Sequence, residues 1–205
     1  MSYVPHFNRV EDEAEIREFV RDRSVATLIT AGADGVPDAT LLPIVWDGDE
    51  AIAHVARAND HWRRIADGAA GLFVVQGVDG YVSPGWYASK REHGKVVPTW
   101  NYSAVHLRGP VTVHDDADWK RAAVSRLTAV HEASRQQPWA VTDAPEQYVE
   151  GQLRAIVGIS MRVETVDAKA KWSQKRSDED RAGVVAGMRA DGAVDAADHT
   201  QTGRL

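Results

Sequence analysis

The segment SAVHLRGPVTVH at 103–114 changes polarity at every second residue. Val105, Leu107, Val111 and Val113 fall on one side, and His106, Arg108, Thr112 and His114 fall on the other. Only an extended strand reconciles that period of two, and a strand this long must lay one face on a core. IVGISMRVETV at 156–166 repeats the pattern, with Val157, Ile159, Met161 and Val163 inward, at a length that suits a barrel strand. VATLITA (25–31), ATLLPIVW (39–46), AIAHVA (51–56) and GLFVVQG (71–77) read as further strands, with DGDE a tight hairpin turn between the second and third. Helices are expected over 9–23 behind an Asn8 cap, at a short start after Asn59, and over 116–133, 145–154 and 177–189. No βαβ rhythm recurs, and no glycine-rich turn leads from strand to helix, so neither a P-loop nor a dinucleotide fingerprint is present. The pattern predicts an antiparallel barrel, mainly β with peripheral helices.

Composition narrows the function classes. Hydrophobic residues make up 43% and charged residues 26% of the 205, as in ordinary globular chains. A net charge of -6 argues against broad electrostatic binding to nucleic acid or an anionic membrane. The chain has no cysteine, which excludes disulfides and thiolate metal sites. MSYVPHFNRVEDEAE lacks the basic-then-apolar pattern of a signal peptide, and no apolar run approaches membrane-spanning length, so a cytoplasmic protein is expected. Eight histidines occur without an HExxH or comparable ligand spacing, and no metal site is expected. A G-x-S-x-G elbow is likewise absent.

Three segments carry residues suited to binding chemistry. HVARANDHW (54–62) brings Arg57 and Asn59 to a strand-to-helix junction, which suits either a phosphate or an ordinary surface arginine beside an N-cap. GYVSPGWYASK (80–90) and VVPTWNY (96–102) gather Tyr81, Trp86, Tyr87, Trp100 and Tyr102 around prolines, as a core corner or a wall for a flat ring would. The SKREHGK tip between them reads as a polar arm. AKAKWSQKR (168–176) sets cations around Trp172, Ser173 and Gln174; it is either a solvated strand exit or a seat for an anionic aromatic ligand.

In their order and spacing, YVPHF (3–7), HVARAN (54–59), YVSPGWYASK (81–90), VVPTWNY (96–102) and KWSQKR (171–176) resemble PaiB-like proteins, described as FMN-binding negative transcriptional regulators. The likeness runs over residues 3–185. It implies an FMN-binding split β-barrel, related to pyridoxamine-phosphate oxidase and working as a homodimer with flavin at the shared interface. One domain over 1–185 and a mobile tail over 186–205 are then expected. By that resemblance the flavin ring would lie along Thr40, Leu41, Leu42 and Pro43 and along His54, Val55 and Ala56. Its phosphate would sit near Arg57, Ala58 and Asn59. The other subunit would supply Thr99, Trp100 and Asn101, together with Lys171, Gln174 and Arg176. Two positions depart from the family's usual pattern: Lys175 follows Ser173-Gln174 where an asparagine is common, and His61 stands where glutamine is more usual. The resemblance points to transcriptional regulation, although no helix-turn-helix pair is legible and the net charge disfavours direct DNA binding. The alternative is an FMN-dependent oxidoreductase with a nicotinamide donor, in which Lys171 and Arg176 would place positive charge near the flavin's N1–C2=O edge.

Overall fold

The β-branched, alternating segments form strands because each can bury every second side chain. The computed structural model describes residues 3–32 and 34–205. Its strands are β1 (Val25–Thr30), β2 (Asp38–Asp47), β3 (Glu50–Ala56), β4 (Ala69–Val82), β5 (Thr99–His114), β6 (Ile156–Arg162) and β7 (Thr165–Lys171). They form one sheet in the order β4-β1-β2-β3-β6-β5-β7. A further pairing of β4 with β5 joins the order into a ring, with β7 added beside β5. The registers of β1 with β2 and β4, of β2 with β3, and of β6 with β3 and β5 are antiparallel.

The helices are α1 (Glu13–Arg23), α2 (His61–Arg64), α3 (Ser89–His93), α4 (Ala117–Glu132), α5 (Glu146–Arg154), α6 (Asp178–Ala190) and α7 (Val194–Thr202). None of the described helices is long and apolar enough to cross a membrane. The start of α1 differs from the sequence expectation, because the Asp12 carboxylate, rather than Asn8, accepts from the free N–H groups of Ala14 and Glu15. Asp116 and Ser177 cap α4 and α6 in the same manner, through Trp119 and Asp180.

The chain divides into two units. Val20–Val75 with His106–Val166 holds the barrel core. Across β3 and β6 the pairs Ala51↔Met161, Ala53↔Ile159 and Val55↔Val157 are all buried. On the opposite face of these strands Ile52 and Ser160 are also buried, and α4 lies against β3 and β6 there. Gly158 lets the Trp119 ring of α4 reach the backbone: a Cβ at this position would stand 2.1 Å from the ring. His114 stacks on the same ring at 3.8 Å and 7°.

The second unit comprises Met1–Phe19, Gln76–Val105 and Asp167–Leu205. Its core gathers Val82, Tyr87, Ala170, Trp172, Val184, Met188, Ala196 and Ala197. The long strand expected over 156–166 breaks here into β6 and β7. Val163 and Glu164 turn away, their N–H groups donating to Asp49 O at 2.7 Å and Arg108 O at 2.8 Å. Gly109 permits that turn, since a Cβ there would meet Arg162 O at 1.7 Å. Two further expectations change. Thr99–Tyr102 belongs to β5, which the alternating pattern alone begins at Ser103. The expected mobile tail over 186–205 is helical and packed, with Met188, Ala196, Ala197 and Thr200 buried. Its small residues allow close approach, Ala196 Cβ lying only 3.0 Å from where Gly80 would carry a Cβ.

Replacing Gly158 by alanine drives a methyl group into a ring that is itself stacked. Chemical denaturation of Gly158→Ala is expected to show a loss of about 1–3 kcal/mol.

Candidate functional site

Strand β2 separates two environments by its period of two. Leu42 and Ile44 are buried, whereas Ala39, Leu41 and Pro43 are exposed, Leu41 by 69%. The neighbours of these exposed residues on β1 are Ile29, Thr27 and Val25, and Leu72 and Val74 of β4 lie beyond, opposite Ile29 and Thr27. All of these are half-buried or exposed. A largely apolar face on a central strand is thus left in solvent, which is uncommon for a sheet that functions alone. On β3, Val55 is core, Ala56 is exposed, and His54 is half-buried with its Nδ1 lacking a hydrogen-bond partner. Burial pushes the His54 imidazole below its ordinary range.

At the end of β3 the structure assembles a polar cluster that the sequence reading left uncertain. His61 is 3% exposed, with Nε2 at 2.9 Å from the Thr30 hydroxyl and Nδ1 at 2.8 Å from that of Thr40. Asn59 donates to the same Thr40 oxygen at 3.3 Å and accepts from the His61 N–H at 3.0 Å. Thr40 therefore has its proton free for Nδ1, and a neutral ring satisfies both hydroxyls. Burial lowers the pKa of His61, outweighing the nearby Asp38 carboxylate, while Arg64 lowers it further.

Arg57 was the sequence's phosphate candidate. Its guanidinium is engaged elsewhere: both terminal nitrogens donate to the Asp115 carboxylate, and Nε donates to Arg154 O at 2.7 Å. Arg57 and Lys120 together hold the Asp115 carboxyl down at about 2. Helix α2 is a single turn, and Ala58 beside it is exposed. A phosphate at this corner would have to displace an internal ion pair.

The second half of the predicted set converges within the unit that contains β7. Thr99, Asn101, Lys171, Gln174 and Arg176 line one cleft of about 200 Å³, together with Phe7, Asn8, Tyr87, Val97, Pro98, Ser173 and Lys175. Lys171 Nζ donates to Thr99 Oγ1 at 2.7 Å and to Trp100 O at 2.6 Å, and burial lowers its pKa. Lys175 sits over the Phe7 ring at 4.0 Å and Arg176 over the Tyr87 ring at 4.3 Å. Among the described residues none of these three cations has a carboxylate ion pair, although acidic residues outnumber basic ones 30 to 24 in the chain. Rings and hydroxyls hold them in place, and the Asp180 carboxylate acts on Arg176 through space without forming an ion pair.

Three of the predicted residues commit their polar groups to partners within the protein. Asn101 is completely buried, and its amide donates to Ser173 Oγ and Thr200 Oγ1. Gln174 folds back, accepting from Trp172 N at 2.8 Å and donating to Ala170 O at 2.7 Å. Trp100 is exposed, with its indole N–H on Asp79 at 3.1 Å and its ring tilted against Tyr81. The sequence reading did not name Phe7, Tyr87, Ser173 or Lys175 as site residues, although all four lie inside the motifs that carried the resemblance. Ser173 has the left-handed φ of 64°, which costs a non-glycine residue roughly 1–2 kcal/mol.

The family model described as "Putative FMN-binding domain" matches residues 2–165. The chain belongs to this FMN-binding family. FMN is the cofactor that membership assigns to it. Among relatives of this FMN-binding chain, the Bacillus subtilis (strain 168) "Protease synthase and sporulation protein PAI 2" is 31% identical over 187 residues, spanning 89% of this chain and 87% of that one. That relationship places it with the PaiB-like proteins. Two solved structures share the split-barrel fold. The FAD and heme binding protein of Mycobacterium smegmatis has a TM-score of 0.62 and 20% identity, covering 85% of this chain and 79% of its own. The flavocytochrome Anf3 of Azotobacter vinelandii has a TM-score of 0.60 and 16% identity, covering 86% and 76%. The chain's own residues fit the cofactor. An uncovered apolar strand face suits a flat ring, and unpaired cations beside aromatic walls suit its anionic groups. Lys171, Lys175 and Arg176 lie beyond the part matched by the family model.

His54, His61 and His114 are all shifted downward by burial. A folded-state pKa below the ordinary imidazole value of 6.5 means that their contribution is complete above about pH 6.5 and is lost as pH falls through the lowered values. The thermal midpoint should therefore drop as pH falls below 6.5. His61→Gln, which can still bridge Thr30 and Thr40 but cannot titrate, should make that drop shallower in a pH series of melting curves.

Proposed function

We propose that the protein works as a homodimer holding FMN at the interface between copies. The ring would lie on the β2–β3 face of one copy, and the Thr99–Asn101 and Lys171–Arg176 segments of the other copy would close over it. The observation that carries this reading is the cleft with three cations that, among the described residues, have no carboxylate ion pair. At about 200 Å³ it falls below the roughly 300–1,000 Å³ of usual ligand pockets, so a second copy is needed to complete a site for a molecule as large as FMN. The exposed row Ala39, Leu41, Pro43 supports the same assembly. Covering a leucine such as Leu41 is worth roughly 1.5–3 kcal/mol.

FMN, when bound, supplies hydride and single-electron transfer. The chain's part is binding and orientation. Lys171, held by Thr99 and the Trp100 carbonyl, presents positive charge to an electron-rich edge, and Arg176 does so from its perch on Tyr87. The apolar β2 face keeps water from the ring. The biological output we assign is regulation of transcription, as in the PaiB-like proteins. A net charge of -6 argues that it acts through a partner protein and not by direct contact with DNA. The lowered pKa of Lys171 favours a second reading, an oxidoreductase that accepts electrons from a nicotinamide, because such tuned cations cluster at reactive sites.

The purified protein should be yellow or turn so with added FMN, and Lys171→Ala should weaken FMN roughly tenfold in a fluorescence titration. Anaerobic bleaching of the flavin band by NADH or NADPH would select the oxidoreductase; bleaching by dithionite alone would leave the regulator. Leu41→Asp should convert the dimer to monomer in light scattering and release FMN with it. A Leu41→Asp protein that stays dimeric and yellow would refute the proposed interface.

A further inference from the structure

The cleft loop is backed by a helix that lies outside the matched family region. Ser173, at the centre of the loop, holds its left-handed conformation only because its surroundings over-determine it. Five hydrogen bonds do so. The Asn101 amide donates to Ser173 Oγ at 3.0 Å, and the Ser173 hydroxyl reaches Asn101 Oδ1 at 3.3 Å. Gln174 brackets the loop through Trp172 N and Ala170 O. Arg176 N closes the turn onto Ser173 O at 3.0 Å.

Two of the residues that orient this loop are themselves oriented by α7. The second N–H of Asn101 donates to Thr200 Oγ1 at 3.1 Å, and the Thr200 hydroxyl donates to Met188 Sδ of α6 at 3.5 Å. Asn101 and Thr200 are both 0% exposed, so no water can substitute for either. Trp172 is also 0% exposed, and its indole N–H has no partner. Packing therefore sets the plane of that ring: the surrounding core, which includes Ala196 and Ala197 of α7, and stacking on His199 of α7 at 5.1 Å and 17°. The end of the chain is tied down as well, through Leu205 N and Arg204 to Glu15 and through His199 Nδ1 to the Arg204 carbonyl.

We infer that α7 is a positioning element of the cofactor cleft: Thr200, acting through Asn101, and His199, acting through Trp172, hold the Lys171–Arg176 loop in its ligand-binding shape. Thr200 and His199 do not line the cleft and act on it through Asn101 and Trp172. The inference rests on the reading of this cleft as part of the FMN site, and that reading is tested separately by the cation variants.

The experiment measures FMN affinity by fluorescence titration, and the visible circular dichroism of bound FMN, in the full chain well below its melting temperature. Thr200→Val, which keeps the shape and removes the acceptor, and His199→Ala, at a half-buried position that tolerates truncation, are each expected to weaken FMN about fivefold to tenfold and to alter the flavin's dichroism. Thr200→Ser should restore wild-type affinity. Far-UV dichroism reports whether each variant is folded, and should Thr200→Val not fold, His199→Ala decides alone. Wild-type FMN affinity in both folded variants, with Lys171→Ala still weakening FMN, overturns the role of α7 while keeping the cleft. Unchanged FMN binding in Lys171→Ala and Arg176→Ala overturns the cleft reading and the inference with it.

Discussion

Strand β2 lies between β1 and β3 in the sheet and faces two solvents at once. Leu42 and Ile44 look into the core, where their partners across the sheet are the buried Ala26 of β1 and Ala53 of β3. Ala39, Leu41 and Pro43 look the other way, into water. A slip of one residue in the β1–β2 register would exchange these two sets and destroy the core, so burial of Leu42 and Ile44 pins the exposed row where it is. The apolar outer face is therefore enforced by the inner one, and a ligand or second copy that covers it meets a surface already in its final form.

Charge is handled differently in the two places where the sequence raised a binding site. Arg57 has a bidentate carboxylate partner and two carbonyl acceptors, so an incoming anion would compete with a satisfied ion pair. Lys171, Lys175 and Arg176 have hydroxyl, carbonyl or aromatic partners, which steady a cation without the close carboxylate that Arg57 has. In a chain with an excess of acidic residues, three such cations around one cleft form a local reversal of sign. That contrast, more than the number of basic residues, distinguishes a surface still open to an anion from one already paired.

The strands, their alternation and the main helices were legible because period two and capping residues are local signals. The break between β6 and β7 was not legible. Val163–Val166 continues the alternating pattern, and only the carbonyls of Asp49 and Arg108, distant in sequence, draw the chain aside. The C-terminal helix was missed for a related reason. Its alanine- and glycine-rich composition resembles a mobile tail, and it becomes ordered by packing its small residues against Gly80, Trp172 and Met188. Within the site, residue types were read correctly while the direction of the side chains was not: Asn101 and Gln174 look like ligand-binding amides in sequence, and both turn out to brace the loop.

By itself the sequence determined the barrel strands, the FMN-binding family and the motifs from which a site would be drawn. All of these are written in local periodicity and in short ordered segments. The tertiary structure decided which cations stay unpaired, which amides face inward and that the last helix backs the cleft. Those outcomes depend on partners far apart in the chain, such as Arg57 with Asp115 and Asn101 with Thr200, which no local pattern encodes.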